Sequence, residues 1–223
     1  MNEIIFYPPL TRKNIEHYYH RGGGFYSNYL ENYSKIAEDC LHRCVYCDAT
    51  EKECGGDNFS LDHFRPKQVF INLFNGILIT HPHNLYLSCQ KCNVLKSNDW
   101  KGSTVIIDGP SYINKEGYID RFKDNISDFM DVRQSGEIIS VNNDGPADYM
   151  IKKMLLNRTN RVYLRRKRII DLKIKELNNI ITGRMEDLIL HFNTESVDCK
   201  KLKKEIESLI QIKKEFDSLI TEV

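Results

Sequence analysis

Two Cys-x-x-Cys pairs, Cys44/Cys47 and Cys89/Cys92, are the residues of this 223-residue chain best suited to chemistry. Thiolate is a soft metal ligand, and four thiolates suit tetrahedral Zn²⁺ in a closed, structural site with no open position for a reaction. Disulfides are the competing use of cysteine. The chain starts without a basic segment leading into an apolar run, and it has no stretch of about 18 apolar residues. It is therefore expected in the cytoplasm, off the membrane, where thiols stay reduced and seven cysteines point to metal. The 41 residues between the pairs exceed the simplest zinc-ribbon spacing, so a substantial element is inserted there. Cys40, Cys54 and Cys199 read as buried small hydrophobes or incidental thiols, with Cys54 near enough to leave the ligand set open.

A closed zinc site leaves the run Leu61-Asp62-His63-Phe64-Arg65-Pro66-Lys67 unexplained. A histidine in a strand is more often a satisfied core group than a base. Here it follows an acid and sits between the cysteine pairs, with Asn84-Leu85 and Cys92-Asn93 downstream. Neighbouring strand residues point to opposite faces, so Asp62 and His63 serve one site only if the strand ends or bends there; Pro66 supplies the break.

In order, Cys44-Val-Tyr-Cys47, Asp62-His63, Asn84-Leu85, Cys89-Gln-Lys-Cys92-Asn93 and Lys96 resemble the HNH endonuclease family, in the subgroup whose ββα-metal fold is braced by two zinc knuckles. The resemblance covers about a quarter of the chain. It implies that His63 is the general base, that Asp62 and Asn93 ligate a catalytic Mg²⁺ or Mn²⁺, that Asn84 holds the loop orienting His63, and that Lys96 reaches a phosphate oxygen. Asn93 stands where many members carry a histidine, which makes the donor set harder. Phosphodiester hydrolysis suits these roles, because histidine accepts a proton near neutral pH and a hard cation stabilises the leaving oxygen. Arg65 and Lys67 flank the site as backbone-phosphate contacts or as ordinary solvated charge. Met150 to Arg168, after Gly136-Glu-Ile, is similar to the region following the HNH core in nucleases of Septu and retron anti-phage systems, which work beside an ABC-type ATPase. DNA is the default substrate, with RNA, including tRNA, left open. The rival from another class is a non-catalytic zinc-binding module that holds nucleic acid.

Net charge is only +1, yet residues 151–175 carry ten Lys or Arg, with Arg165, Arg166, Lys167 and Arg168 adjacent, against Asp171 alone. This +9 is a polyanion footprint or a solvated helix face. A hydrophobic fraction of 41% with 28% charge excludes wholesale disorder.

The elements that must position these groups give an α+β chain: a small zinc-braced ββα-metal core with a mostly helical C-terminal region. A helix is expected from about Ser27 to Leu41, strands over 59–64 and 84–88 separated by a long loop, a helix over 90–98, and a small hairpin around Gly136. Arg21-Gly-Gly-Gly24 reads as a turn. After Ala147 the pattern is helical. Ile169, Leu172, Leu177, Ile180 and Ile181 mark one apolar face, and Leu202, Ile206, Leu209, Lys213, Phe216 and Ile220 follow a heptad seam, with a turn over 193–198. The divisions are 1–40, an aromatic and helical extension; 41–105, the zinc-braced core; 106–146, an irregular connector; and 147–223, a basic helical region ending in a helical hairpin.

Overall fold

A computed structural model describes residues 6–18, 29–56, 58–142, 144–192 and 199–221. The Arg21–Gly24 turn, the expected helix start at Ser27 and the turn over 193–198 lie outside the described residues, as do the side chains of Cys199 and Ile220. The elements are α1 (Tyr33–Asp39), β1 (Ser60–His63), α2 (Lys67–Phe70), β2 (Leu85–Ser88), α3 (Gln90–Lys96), β3 (Tyr112–Ile113), β4 (Glu116–Gly117), β5 (Met130–Val132), β6 (Ile138–Ser140), α4 (Ala147–Lys153), α5 (Thr159–Phe192) and α6 (Cys199–Thr221). The chain is α+β, with each strand pair antiparallel. No described helix is long and apolar enough to cross a membrane.

β1 and β2 pair with Asp62 opposite Tyr86 and His63 opposite Leu85, and α3 follows one residue after β2. Pro66, in extended conformation, ends the first strand and caps α2, whose turn is held by Val69 and Phe70 N–H on the Pro66 carbonyl. The stretch expected as a long loop is thus partly helical, with α2 followed by 3₁₀ turns over Phe74–Ile79 and Pro82–Asn84. Aromatic packing explains this order: buried Phe70 stacks near Phe74 and meets the edge of Trp100, which also packs on Phe64. The hairpin around Gly136 forms as β5–β6; β3–β4 is a further hairpin.

The chain divides into two compact units, residues 1–164 and 165–223. The first has one core that gathers Tyr7, Leu10 and Tyr18, the β1–β2 hairpin, and Tyr118, Ile119, Met150, Met154 and Leu156. The three divisions expected over 1–146 therefore share a core, and the break falls inside α5. The reason is apolar burial: the stretches 1–40 and 106–146 are too short to bury a core of their own and pack on the one between them.

In the second unit, α5 and α6 are linked by Arg184 Nη1 donating to Ser208 Oγ (2.7 Å). The α6 seam keeps Leu202, Leu209 and Phe216 half-buried but runs through Ile212, leaving Ile206 43% exposed and Lys213 in solvent, paired with Asp217. Moving the seam by one residue keeps the ammonium in water. On α5, Ile180 is exposed, so the inward row passes through Ile174, Leu177 and Ile181.

Candidate metal centre and adjoining cleft

The first cysteine pair sits on a tight turn. Cys44 N–H donates to the Ala49 carbonyl, Asp48 N–H donates back to the Cys44 carbonyl, and Asp48 takes a left-handed φ of 60° while its carboxylate accepts from Arg43. The second pair opens α3, with Cys89 at its N-cap and Cys92 in its first turn. These segments bring Cys44, Cys47, Cys89 and Cys92 together, all buried and all unoxidised, with Sγ atoms within 4.8 Å of one another. Zn–S bonds of about 2.3 Å place tetrahedral sulfurs about 3.8 Å apart, and Cys47 and Cys89 Sγ stand 3.8 Å apart. The four-thiol set fits a zinc ion. Cys54 is half-buried and outside the cluster.

Charge supports the same reading. Hydrogen bonds from Cys44, Cys47 and Cys92 pull the Cys89 thiol below its ordinary value, while burial pushes Cys44 up, so four thiolates crowded here need a cation. Two arginines face the sulfurs. Arg161 Nη2 donates to Cys89 Sγ at 3.4 Å, and Arg158 Nη2 reaches Cys92 Sγ at 3.6 Å and Cys89 Sγ at 3.9 Å. Burial alone would lower the Arg161 guanidinium, but Cys47 and Cys89 raise it above its ordinary value. A zinc tetrathiolate carries two negative charges, so with zinc bound these guanidiniums would neutralise its surplus. Spacing gave no hint of them, since they lie more than sixty residues beyond Cys89.

Asp62, His63 and Asn93 line one cleft of about 370 Å³, with Lys67, exposed, at its rim. His63 Nε2 donates to the Ile79 carbonyl at 2.7 Å, which fixes that tautomer and leaves the ring lone pair on Nδ1. Burial lowers the imidazole from its ordinary value, opposed by the Ile79 bond and by Asp62. Asn84 spans the loop: its Oδ1 accepts from Arg65 N–H (2.8 Å), and its Nδ2 donates to the Arg65 and Leu78 carbonyls (3.1 and 2.8 Å). It fastens the residues following His63 to those before β2.

Three expected contacts are placed otherwise. Lys96 is fully buried, with Nζ 3.2 Å from Asp62 and donating to the His63 carbonyl (2.9 Å), so it cannot reach a phosphate in solvent. Burial lowers the ammonium while Asp62 raises it; as the nearest carboxylate, Asp62 is where such a charge must go. Arg65 is also buried, donating to the Gly109 carbonyl (2.8 Å) in a second cavity that shares no lining residue with the cleft. Arg165 is 1% exposed, so the four-residue basic run is not one solvated face; Arg166 is exposed and Lys167 pairs with Asp171. Helical periodicity separates the four, turning residue 165 inward and residue 166 outward.

One residue that the spacing did not single out is Tyr46, between Cys44 and Cys47, whose hydroxyl donates to Asp62 at 2.5 Å. The Asp62 carboxylate thus accepts from Tyr46 and pairs with Lys96 while still lining the cleft beside Asn93. One carboxylate and one amide oxygen suit a hard divalent cation that keeps water or phosphate as its remaining ligands.

His81 is pushed down to about 4 by burial and by the neighbouring His83 and Arg12, and burial lowers His83 as well. The unfolded chain takes up these protons near pH 6.5, where the folded imidazoles remain neutral. This part of the stability is therefore present above pH 6.5 and is lost as pH falls toward 4. Urea midpoints are expected to drop between pH 7 and pH 4.5, and His81→Gln should shrink that drop; an unchanged drop in the variant would assign the acid sensitivity elsewhere.

Comparison with protein-family models, curated proteins and solved structures finds no match to this chain. The fold and site define an α+β protein with a buried tetracysteine cluster able to hold zinc, beside a cleft bearing an acid, an imidazole and an amide.

Proposed function

We propose that the chain is a metal-dependent endonuclease of the HNH class, hydrolysing phosphodiester bonds in nucleic acid. The observation that carries this reading is the convergence of Asp62, His63 and Asn93 on one cleft, on a hairpin and helix fastened by the four cysteines. His63 Nδ1 takes a proton from a water whose oxygen attacks phosphorus. The P–O bond to the leaving oxygen breaks, and the Ile79 carbonyl keeps the imidazole in the accepting tautomer. Asp62 and Asn93 would hold Mg²⁺ or Mn²⁺, which when bound neutralises charge on the leaving oxygen. Lys67 meets a backbone phosphate at the rim. Zn²⁺ at the cysteines is structural.

The Lys96 ammonium on Asp62 favours a second reading, a zinc-braced module that binds nucleic acid without cutting it, since a cation in the cleft must share that carboxylate. The resemblance to defence nucleases adds an effector role in anti-phage defence beside an ABC-type ATPase. The test is incubation of purified zinc-loaded protein, alone and with such an ATPase, with plasmid DNA and with tRNA, with and without Mg²⁺. Mg²⁺-dependent cutting of either nucleic acid is the expected result. Binding without cutting under every condition selects the second reading.

A further inference from the structure

The second cavity, about 300 Å³, is built around cations that the cleft does not use. Arg65, 5% exposed, spends one Nη on the Gly109 carbonyl, and its Nε–H has no hydrogen-bond partner. Its nearest carboxylate, Asp108, stands 3.8 Å away, beyond hydrogen-bond distance, with a side chain 71% exposed. Asp108 also pairs with Lys123, itself partly exposed. Arg12 lines the same cavity, donating to the Leu85 carbonyl (2.6 Å) and Asp39 (3.4 Å), and its buried Nε–H likewise lacks a partner. The other carboxylate lining the cavity, Asp120, accepts from the Tyr86 hydroxyl and Phe122 N–H.

A desolvated guanidinium calls for a close, fully bonded anion, and an exposed carboxylate at 3.8 Å is a weak one. Phosphate offers three acceptor oxygens and up to two charges, matched to the guanidinium fork and to an ammonium beside it. His81 at the same cavity is kept neutral chiefly by burial, with Arg12 and His83 acting in the same direction. The cavity volume sits at the small end of ligand pockets, which suits a terminal group rather than a strand passing through.

We propose that Arg65 and Lys123 form a binding site for a phosphate monoester, with the Asp108 carboxylate as its built-in competitor. The ligand is a free phosphate monoester or the terminal phosphate of a nucleic-acid end. The site stands whether or not the cleft is catalytic.

The experiment is calorimetric titration of the full chain with inorganic phosphate, a nucleoside 5′-monophosphate, and one oligonucleotide carrying either a 5′-phosphate or a 5′-hydroxyl. It compares wild type with Asp108→Ala and Lys123→Gln, both at partly exposed positions that leave the core intact. Asp108→Ala is expected to tighten phosphate binding about tenfold and Lys123→Gln to weaken it by a similar factor, a little over 1 kcal/mol each way. Binding of the monophosphate places the free monoester in the site, and a preference for the 5′-phosphorylated oligonucleotide places a strand end there. Phosphate binding to neither wild type nor Asp108→Ala overturns the proposal, as does binding indifferent to Lys123, or equal binding of the two oligonucleotides with no binding of the monophosphate.

Discussion

Replacing His63 with alanine is expected to slow phosphodiester cleavage by about 10²- to 10⁴-fold, the usual contribution of a general base. Zinc content and nucleic-acid binding should stay at wild-type levels. His63 is only half-buried and lines the cleft, so truncation removes a proton acceptor and little packing. Asp62 needs more care as a control. Asp62→Ala would leave the buried Lys96 ammonium without its carboxylate, and removing one partner of such a pair costs about 3–5 kcal/mol of stability. Asp62→Asn keeps the shape and the Tyr46 bond but still strands the Lys96 charge, which the double change Asp62→Asn with Lys96→Met removes; the double variant should fold, and neither should cut. Cleavage by His63→Ala at the wild-type rate under Mg²⁺ would hand the protein to the zinc-braced binding reading.

The parts of this architecture visible in the sequence were those set by local rules. The cysteine pairs marked the cluster, the Pro66 break marked the end of β1, and apolar runs beside turn residues marked β2, α3 and the β5–β6 hairpin. What stayed hidden depends on three-dimensional charge placement. Nothing in Lys96, one turn past Asn93, distinguishes an ammonium in solvent from one drawn under β1 to Asp62. The same holds for Arg65, whose place between Phe64 and Pro66 points it at Trp100 and Gly109 instead of the cleft. The α6 seam could be read in two phases because Ile206 and Ile212 each continue a heptad with Leu202 and Leu209. Solvation of Lys213 decided between them. Arg158 and Arg161 were counted with a basic run, while their partners, the sulfurs, belong to a segment far upstream.

The zinc-bearing protein should contain about one zinc per chain, and Cys89→Ser should lower both zinc content and solubility. Metal binding is folding free energy at such sites, of the order of 10–16 kcal/mol in isolated zinc-binding peptides. Here a core reaching from Tyr7 to Leu156 supplies stability of its own, so loss of the metal should lower the melting temperature steeply without abolishing every element. Cys89 is the most consequential ligand because it caps α3 and accepts from both Arg158 and Arg161. Removing its thiolate leaves the buried Arg161 without its closest described side-chain partner as well as opening the metal site. Arg161→Met separates the two effects: all four thiolates remain, so zinc should still bind, but a competing chelator should extract it faster once the tetrathiolate surplus charge is less well compensated. Metal analysis, thermal melts and chelator-release kinetics on the three proteins check this order. A zinc-free chain melting at the same temperature as the zinc-loaded one would remove the metal from the architecture.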